Sequence, residues 1–420
     1  MKDTGALKLS KVLFYVLSIE LIVGGGGHLI DLGTVSIRMV LFALAMIATA
    51  YHFYNGRRIA ADQIMLTAGF ILMLAIGAVI GFANGSTFGA VLEDVKPQLY
   101  ILLLPFVALS ISTTDDVRKL SNIFRICAIT MAILFLLSLA LIHTELIDFL
   151  DFWHLAISTD EFFFRGEITF FYKGFLYLCI GLIFLIEGQA KRWQIAVVVV
   201  AIIMTVTRGF WVALMLAYGG YLVVFSRQHI RRVAMGSGLI VCAIVIVVFG
   251  NYFISAISET IDRQLQTTAP VQSNDIVRVP VDPKPYLLGD RTHSDNERIK
   301  QIKEVVDRVN PLSLIIGHGL GQGIPSRPVH MEISYLEIFH KQGILGLMFW
   351  FLVFLGGVRK VIAVKSDPAS VPYFLSFVFV FAISLFNQFV NNPIGLFMIM
   401  VTIVVSDCIK IEKKILDFKK

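Results

Sequence analysis

Three side chains in this sequence are of the types that handle a phosphate-bearing substrate: Arg208, Arg298 and Glu332. Arg208 lies in Thr207-Arg208-Gly209, a tight connector between two apolar runs. A guanidinium at the centre of a bilayer costs about 2.5–3.5 kcal/mol, and less near an interface, so a residue placed there has a partner or a task, or else snorkels from a span end. Arg298 falls one turn into a helical pattern opened by the capping box Ser294-Asp295-Asn296-Glu297. Two planar forks match the oxygens of a diphosphate, which Lys meets only as a point charge. The plainer reading of Arg298 is a solvated helix charge, as for its neighbours Lys300, Lys303 and Arg308. Glu332 shares a helical face with Tyr335, and a carboxylate facing two arginines serves as general base, binds sugar hydroxyls, or merely closes an ion pair. Further candidates for substrate contact are Arg291, Arg165, Lys173, His330 and His340, with Arg38 another cation. Lys173 stands out because it falls inside an apolar run. His318, His330 and His340 show no metal-ligand spacing and no accompanying carboxylate cluster, so no metal and no cofactor are expected. The run Gly317-His318-Gly319-Leu320-Gly321-Gln322-Gly323 offers an anion nest, but it lacks the Lys and Ser/Thr of a nucleotide loop, and tight turns are the simpler explanation.

The elements that must hold these residues are set by composition. The chain is 57% hydrophobic and 16% charged, with a mean hydropathy of +0.78, where a soluble domain carries about 25% charged residues. A soluble enzyme is excluded. Continuously apolar runs such as Leu239 to Phe249 exclude an outer-membrane barrel, which alternates. Spans are expected at 12–31, 34–54, 63–83, 97–112, 121–143, 168–187, 194–207, 210–226, 234–256, 341–358, 370–387 and 391–408, about twelve in all at roughly 20 residues each. The first apolar segment is expected to stay as an anchor, since no small-residue cleavage site follows it. Cys127, Cys179, Cys242 and Cys408 all fall inside spans without paired spacing, so no disulfide framework is expected.

With the N-terminus cytoplasmic, alternate loops and both ends carry Lys2, Lys8, Lys11, Arg57, Arg58, Arg118, Lys119, Lys191, Arg192, Arg227, Arg231, Arg232, Arg359, Lys360, Lys365 and a basic tail from Lys410. The short connectors between them are nearly free of basic residues, or acidic like Glu145 to Glu161, as the positive-inside rule requires. The chain thus divides into a bundle over 1–256, a long extracytoplasmic loop over 257–340 and a second bundle over 341–420 with three spans and a cytoplasmic tail. Within the loop, an amphipathic helix over 294–310 puts Ile299, Ile302, Val305, Val306 and Val309 on one face, and a short helix over 330–340 leads into the tenth span. Cytoplasmic loops this short hold no nucleotide-binding domain, and no nucleic-acid partner is expected.

The string RIKQIKEVVDRVNPLSLIIGHGLGQG followed by EISYLEIFHKQGILGLMFW resembles the signature region of the O-antigen polymerase and O-antigen ligase superfamily, and TVTRGFW resembles its upstream arginine turn. The resemblance implies an all-α, GT-C-type polytopic glycosyltransferase of a bacterial inner membrane with a periplasmic active site. It implies undecaprenyl-diphosphate-linked oligosaccharides as donor and acceptor, and leaves a chain-length regulator protein among the candidate partners. Arg208 and Arg298 then match the diphosphate-binding arginines, and Glu332 stands where ligases carry a general-base His. That departure favours a polymerase over a ligase that caps lipid A core. A transporter of lipid-linked sugars would also use cations such as Arg38 and Lys173, but no internal repeat of the transporter kind is present.

Orientation is directly testable. Ser273→Cys should react with a membrane-impermeant thiol reagent in cells whose outer membrane alone is permeabilised. Labelling only after the inner membrane is broken would invert the topology.

Overall fold

The structure, a computed structural model, describes residues 5–27, 31–32, 35–157, 159, 161–165, 169–225 and 291–418. The expected span at 234–256 and the first part of the long loop lie outside the described residues. The architecture is almost wholly helical, with two short hairpins. Among the described residues, five helices are long and apolar enough to cross a membrane: Ile37–Tyr54, Ala61–Ala83, Thr114–His143, Ser334–Ala363 and Pro393–Phe418. The protein is a multi-pass membrane protein. Their outward faces stay apolar, as Ile47, Leu72, Ile126 and Leu352 illustrate, because lipid, unlike water, sets no premium on burying them.

Pro393–Phe418 forms the centre. Its apolar window is 83% buried, against 22–33% for the other four, and Phe397 on it meets the rings of Phe14 and Phe124. Phe124 in turn stacks on Phe184 and Tyr177. Thr114–His143, Leu176–Glu187, Arg208–Phe225 and Val371–Ile383 pack around this aromatic axis.

Several expected spans are interrupted, each for a readable reason. The first helix, Gly5–Val23, stops at Gly24 instead of running to 31. Behind it, Arg38 on Ile37–Tyr54 is buried and donates Nε to both oxygens of Glu20 at 2.9 and 2.8 Å. The glycine loop closes over that guanidinium: a Cβ at Gly27, whose φ is +105°, would lie 3.0 Å from its Cζ. The span expected at 97–112 is split into Phe88–Gln98, a 3-10 stretch Leu99–Leu103, and Leu104–Ser110, because Pro97 and Pro105 lack the N–H that a continuous helix needs. The span expected at 168–187 begins only at Leu176. Thr169–Tyr172 is instead a strand paired antiparallel with Phe162–Arg165. Lys173 therefore does not lie within a helical span, but at the turn between hairpin and helix, its ammonium 5.6 Å from the Phe163 ring centre. Aromatic runs favour the pleated pairing, which buries Phe170 and Tyr172 on one face.

Outside the spans, the helix Arg291–Arg308 is followed by Pro311–Ile316, which Asn310 caps through Oδ1 to the N–H groups of Leu312 and Ser313. The apolar stripe on the first of these helices divides: Val305 is fully buried against Ile324 and Met331, while Ile299, Ile302, Val306 and Val309 remain exposed. Ser334–Ala363 is broken at Gly343, with φ +64° and ψ −160°. The carbonyls of His340 and Lys341, freed by the break, accept N–H bonds from His318 at 2.8 Å and Gly319 at 2.9 Å. The glycine-rich run is thus a clasp. Its φ angles at Gly317, Gly319 and Gly321 are positive, and its Leu320 N–H goes to Gly77 O at 2.8 Å.

Gly81 touches this clasp so closely that a Cβ there would fall 2.0 Å from Leu320 O. Gly81→Val should lose about 1–3 kcal/mol or more of stability through overpacking, read as a lowered thermal midpoint in detergent. Gly89→Ala, where nothing lies within 4 Å, is the neutral control.

Candidate functional site

The helix Arg291–Arg308 and the segment 323–332 form one structural unit. Glu304 accepts the Ser326 N–H and hydroxyl at 3.0 and 2.7 Å, and Arg308 Nη1 donates to Gly323 O at 2.8 Å. These bonds hold Glu304 ionised, keeping its carboxyl below the usual carboxylate range. Ile324 and Arg327 bond each other across the intervening turn. The same turn delivers Arg327 to Glu332. Arg298 Nε donates to Glu332 Oε2 at 3.1 Å, Arg327 Nη2 to Oε1 at 2.6 Å, and the Glu332 backbone N–H to Gln301 Oε1 at 3.1 Å. Glu332 and Arg298, singled out in the sequence, are therefore neighbours, and both carboxylate oxygens are already engaged.

A second, buried cluster lies beside them and was not legible in the sequence. Lys341 Nζ donates to Asp94 Oδ1 at 2.6 Å, Glu337 Oε1 at 2.6 Å and Val329 O at 2.7 Å, satisfying all three of its protons. Glu337 Oε2 accepts from Gln388 at 2.5 Å and Asn391 at 3.0 Å. Asp94 Oδ2 accepts the Gly321 N–H at 2.6 Å. His330 Nδ1 stands 3.3 Å from Glu337 Oε1 and 3.6 Å from Asp94 Oδ1. The expectation that no carboxylate cluster accompanies the histidines is corrected here, because the fold brings Asp94 in from a distant helix. Asp94, His330 and Glu337 present ligand-type atoms within 4.8 Å of one another, but the Lys341 ammonium holds the cation position between the carboxylates.

The remaining candidates are dispersed. Tyr335 spends its hydroxyl on Phe381 O at 2.9 Å. His340 is buried with its ring 4.7 Å from that of His318. Burial, with Arg308 nearby, holds His318 below the ordinary histidine range. Arg208 opens the helix Arg208–Phe225 and is exposed. Arg165 ends a hairpin strand and Arg291 opens the helix that carries Arg298. Asp94, Glu337, Lys341 and Arg327 were missed. For Glu337 and Lys341 a signal existed, namely two opposite charges one turn apart in an otherwise apolar helix. For Arg327 the local sequence held none.

Residues 193–351 match the family described as O-antigen ligase, a stretch that contains Arg208, Arg298 and Glu332. Along 403 residues, 94% of each chain, the sequence is 24% identical to a Shigella flexneri protein named O-antigen polymerase. The chain is thus similar to proteins of the O-antigen polymerase and ligase superfamily. Within the stretch matched to that family, the Gly-x-x-Gly of Gly343 and Gly346 has a physical basis. Gly343 takes the backbone angle that breaks the helix, and a Cβ on Gly346 would meet Gln342 Cβ at 2.4 Å.

Removing Lys341 would leave Asp94 and Glu337 as uncompensated buried anions. Lys341→Met should therefore destabilise by about 3–5 kcal/mol, and adding Asp94→Asn should restore part of the loss. Equal unfolding midpoints for wild type and Lys341→Met would remove the ammonium from its central role.

Proposed function

We propose that this chain is a membrane glycosyltransferase of the O-antigen polymerase kind, acting on undecaprenyl-diphosphate-linked repeat units at the periplasmic face of the inner membrane. The observation that carries the reading is the similarity to a polymerase along nearly the whole of both chains, joined to the pairing of Glu332 with Arg298 in the signature region. In the reaction, the bond from the growing glycan's anomeric carbon to its diphosphate breaks. A new bond forms to a hydroxyl of the incoming unit, and the lipid diphosphate departs. Arg208 and Arg298 stabilise the charge that develops on the leaving diphosphate. Glu332 orients the acceptor hydroxyl and takes its proton once its own ion pairs open. The loop charges support cytoplasmic termini, and the resemblance to the family implies a GT-C-type arrangement of about twelve helices.

The second reading is an O-antigen ligase transferring the finished polymer to lipid A core, favoured by the description of the family matched over 193–351. Purified protein incubated with the lipid-diphosphate repeat unit alone separates the two. A ladder of lengthening products is expected. A product formed only when lipid A core is added would make the enzyme a ligase. In the same assay Arg208→Lys and Arg298→Lys should each lose at least about tenfold in turnover, since Lys lacks the fork. Glu332→Gln should lose roughly 100-fold, whereas Lys300→Ala and Lys303→Ala should stay near wild type.

A further inference from the structure

Glu332 is held in a way that suits its site poorly. One carboxylate serves two guanidiniums, giving a single oxygen to each, so neither arginine makes the two-toothed contact of which its planar fork is capable. Nε and Nη2 of Arg327 lie along one edge of its guanidinium. Nη2 bonds Glu332, yet Nε is buried with no hydrogen-bond partner. Gln301, fully buried, commits Oε1 to the Glu332 N–H and leaves its amide nitrogen buried and unpartnered as well. The carbonyl orientation of Gln301 is fixed, because only an acceptor can face that N–H. Native structures rarely leave buried donors unmatched. Here two of them belong to residues that bond Glu332, and the three charged groups sum to one net positive charge. The site has more donors, and more positive charge, than its occupant can satisfy.

We propose that Arg298 and Arg327 form the two arms of a diphosphate-binding site, that Glu332 occupies it as an internal stand-in, and that a lipid-borne diphosphate displaces Glu332 on binding. The proposal rests on the reading of this chain as an enzyme of lipid diphosphates, and adds to it a further arginine, Arg327, and an exchange step. A phosphate group offers three oxygens where the carboxylate offers two, so both edges of the pair can be filled at once. The displaced carboxylate loses its guanidinium partners as the anion arrives. Its two lone-pair-bearing oxygens are then open to an acceptor hydroxyl only when the diphosphate is seated. Pairs as exposed as these, with side chains 27–42% accessible, are individually weak, which makes the exchange feasible.

The test measures binding apart from turnover. Full-length protein in nanodiscs of zwitterionic lipid is titrated calorimetrically with inorganic diphosphate and with a short-chain prenyl diphosphate. Glu332→Gln, which keeps shape and removes the competing charge, should bind both at least tenfold more tightly than wild type, the prenyl form the better of the two. Arg327→Lys, which keeps charge and loses the fork, should bind at least tenfold more weakly in either background, with an unchanged thermal midpoint. Equal affinity of Glu332→Gln and wild type would overturn the stand-in, and wild-type affinity in Arg327→Lys would overturn the second arm. Binding of inorganic diphosphate but not of the prenyl form would overturn the lipid assignment. The expected order of affinities without polymer or capped product would sink glycosyl transfer and leave this site standing.

Discussion

One ammonium group organises the part of this molecule around the glycine-rich clasp. Lys341 sits at the turn before the Gly343 break and draws three elements onto itself: the helix Phe88–Gln98 through Asp94, the segment leading into Ser334–Ala363 through Val329 O, and its own helix through Glu337. Glu337 extends the reach to the turn holding Gln388 and Asn391, and Asp94 to the glycine clasp. A buried ion triad of this kind is not a large net source of stability, because the desolvation of each charge offsets most of the attraction. Its value is geometric. With every proton of the ammonium assigned to one acceptor, the helices that meet there have one arrangement in which all charges are matched.

The arginine site inherits that fixity at one remove. Glu332 is two residues beyond His330, which touches the triad, and two before Ser334, whose hydroxyl bonds Asn387 O at 3.0 Å and accepts the Phe389 N–H at 2.9 Å. The position of Glu332 is thus held from both sides while its side chain faces arginines on a separate helix. A rigid backbone carrying a half-exposed ion pair suits the exchange with a lipid diphosphate proposed above.

How far the sequence foretold all this depended on the range of the interaction. Continuous apolar runs and their flanking charges are local patterns, so the membrane class and the positions of the five long apolar helices were readable. Arg298 was readable because it sits at a recognisable point of a helical pattern, whereas Glu332 was singled out from an expected helix over 330–340 that in fact begins only at Ser334. What failed were features decided by partners far along the chain. Asp94 and Lys341 are 247 residues apart, and nothing near Asp94 announces a buried lysine. The strand Thr169–Tyr172 looked like span because its aromatic residues are as apolar as any helix, and only the facing Phe162–Arg165 decides the pairing. The split of the stripe on Arg291–Arg308 followed from Val305 finding Ile324 and Met331, contacts that helical periodicity alone does not encode.

The buried Arg38–Glu20 pair bears on how the chain enters the bilayer during synthesis. Glu20 lies on the first helix and Arg38 on the second, each of them a charge that is costly to release singly into hydrocarbon. Coupled at 2.8 Å, they cancel. Placing the first two helices in lipid together, with the ion pair made, is therefore less costly than placing either one alone.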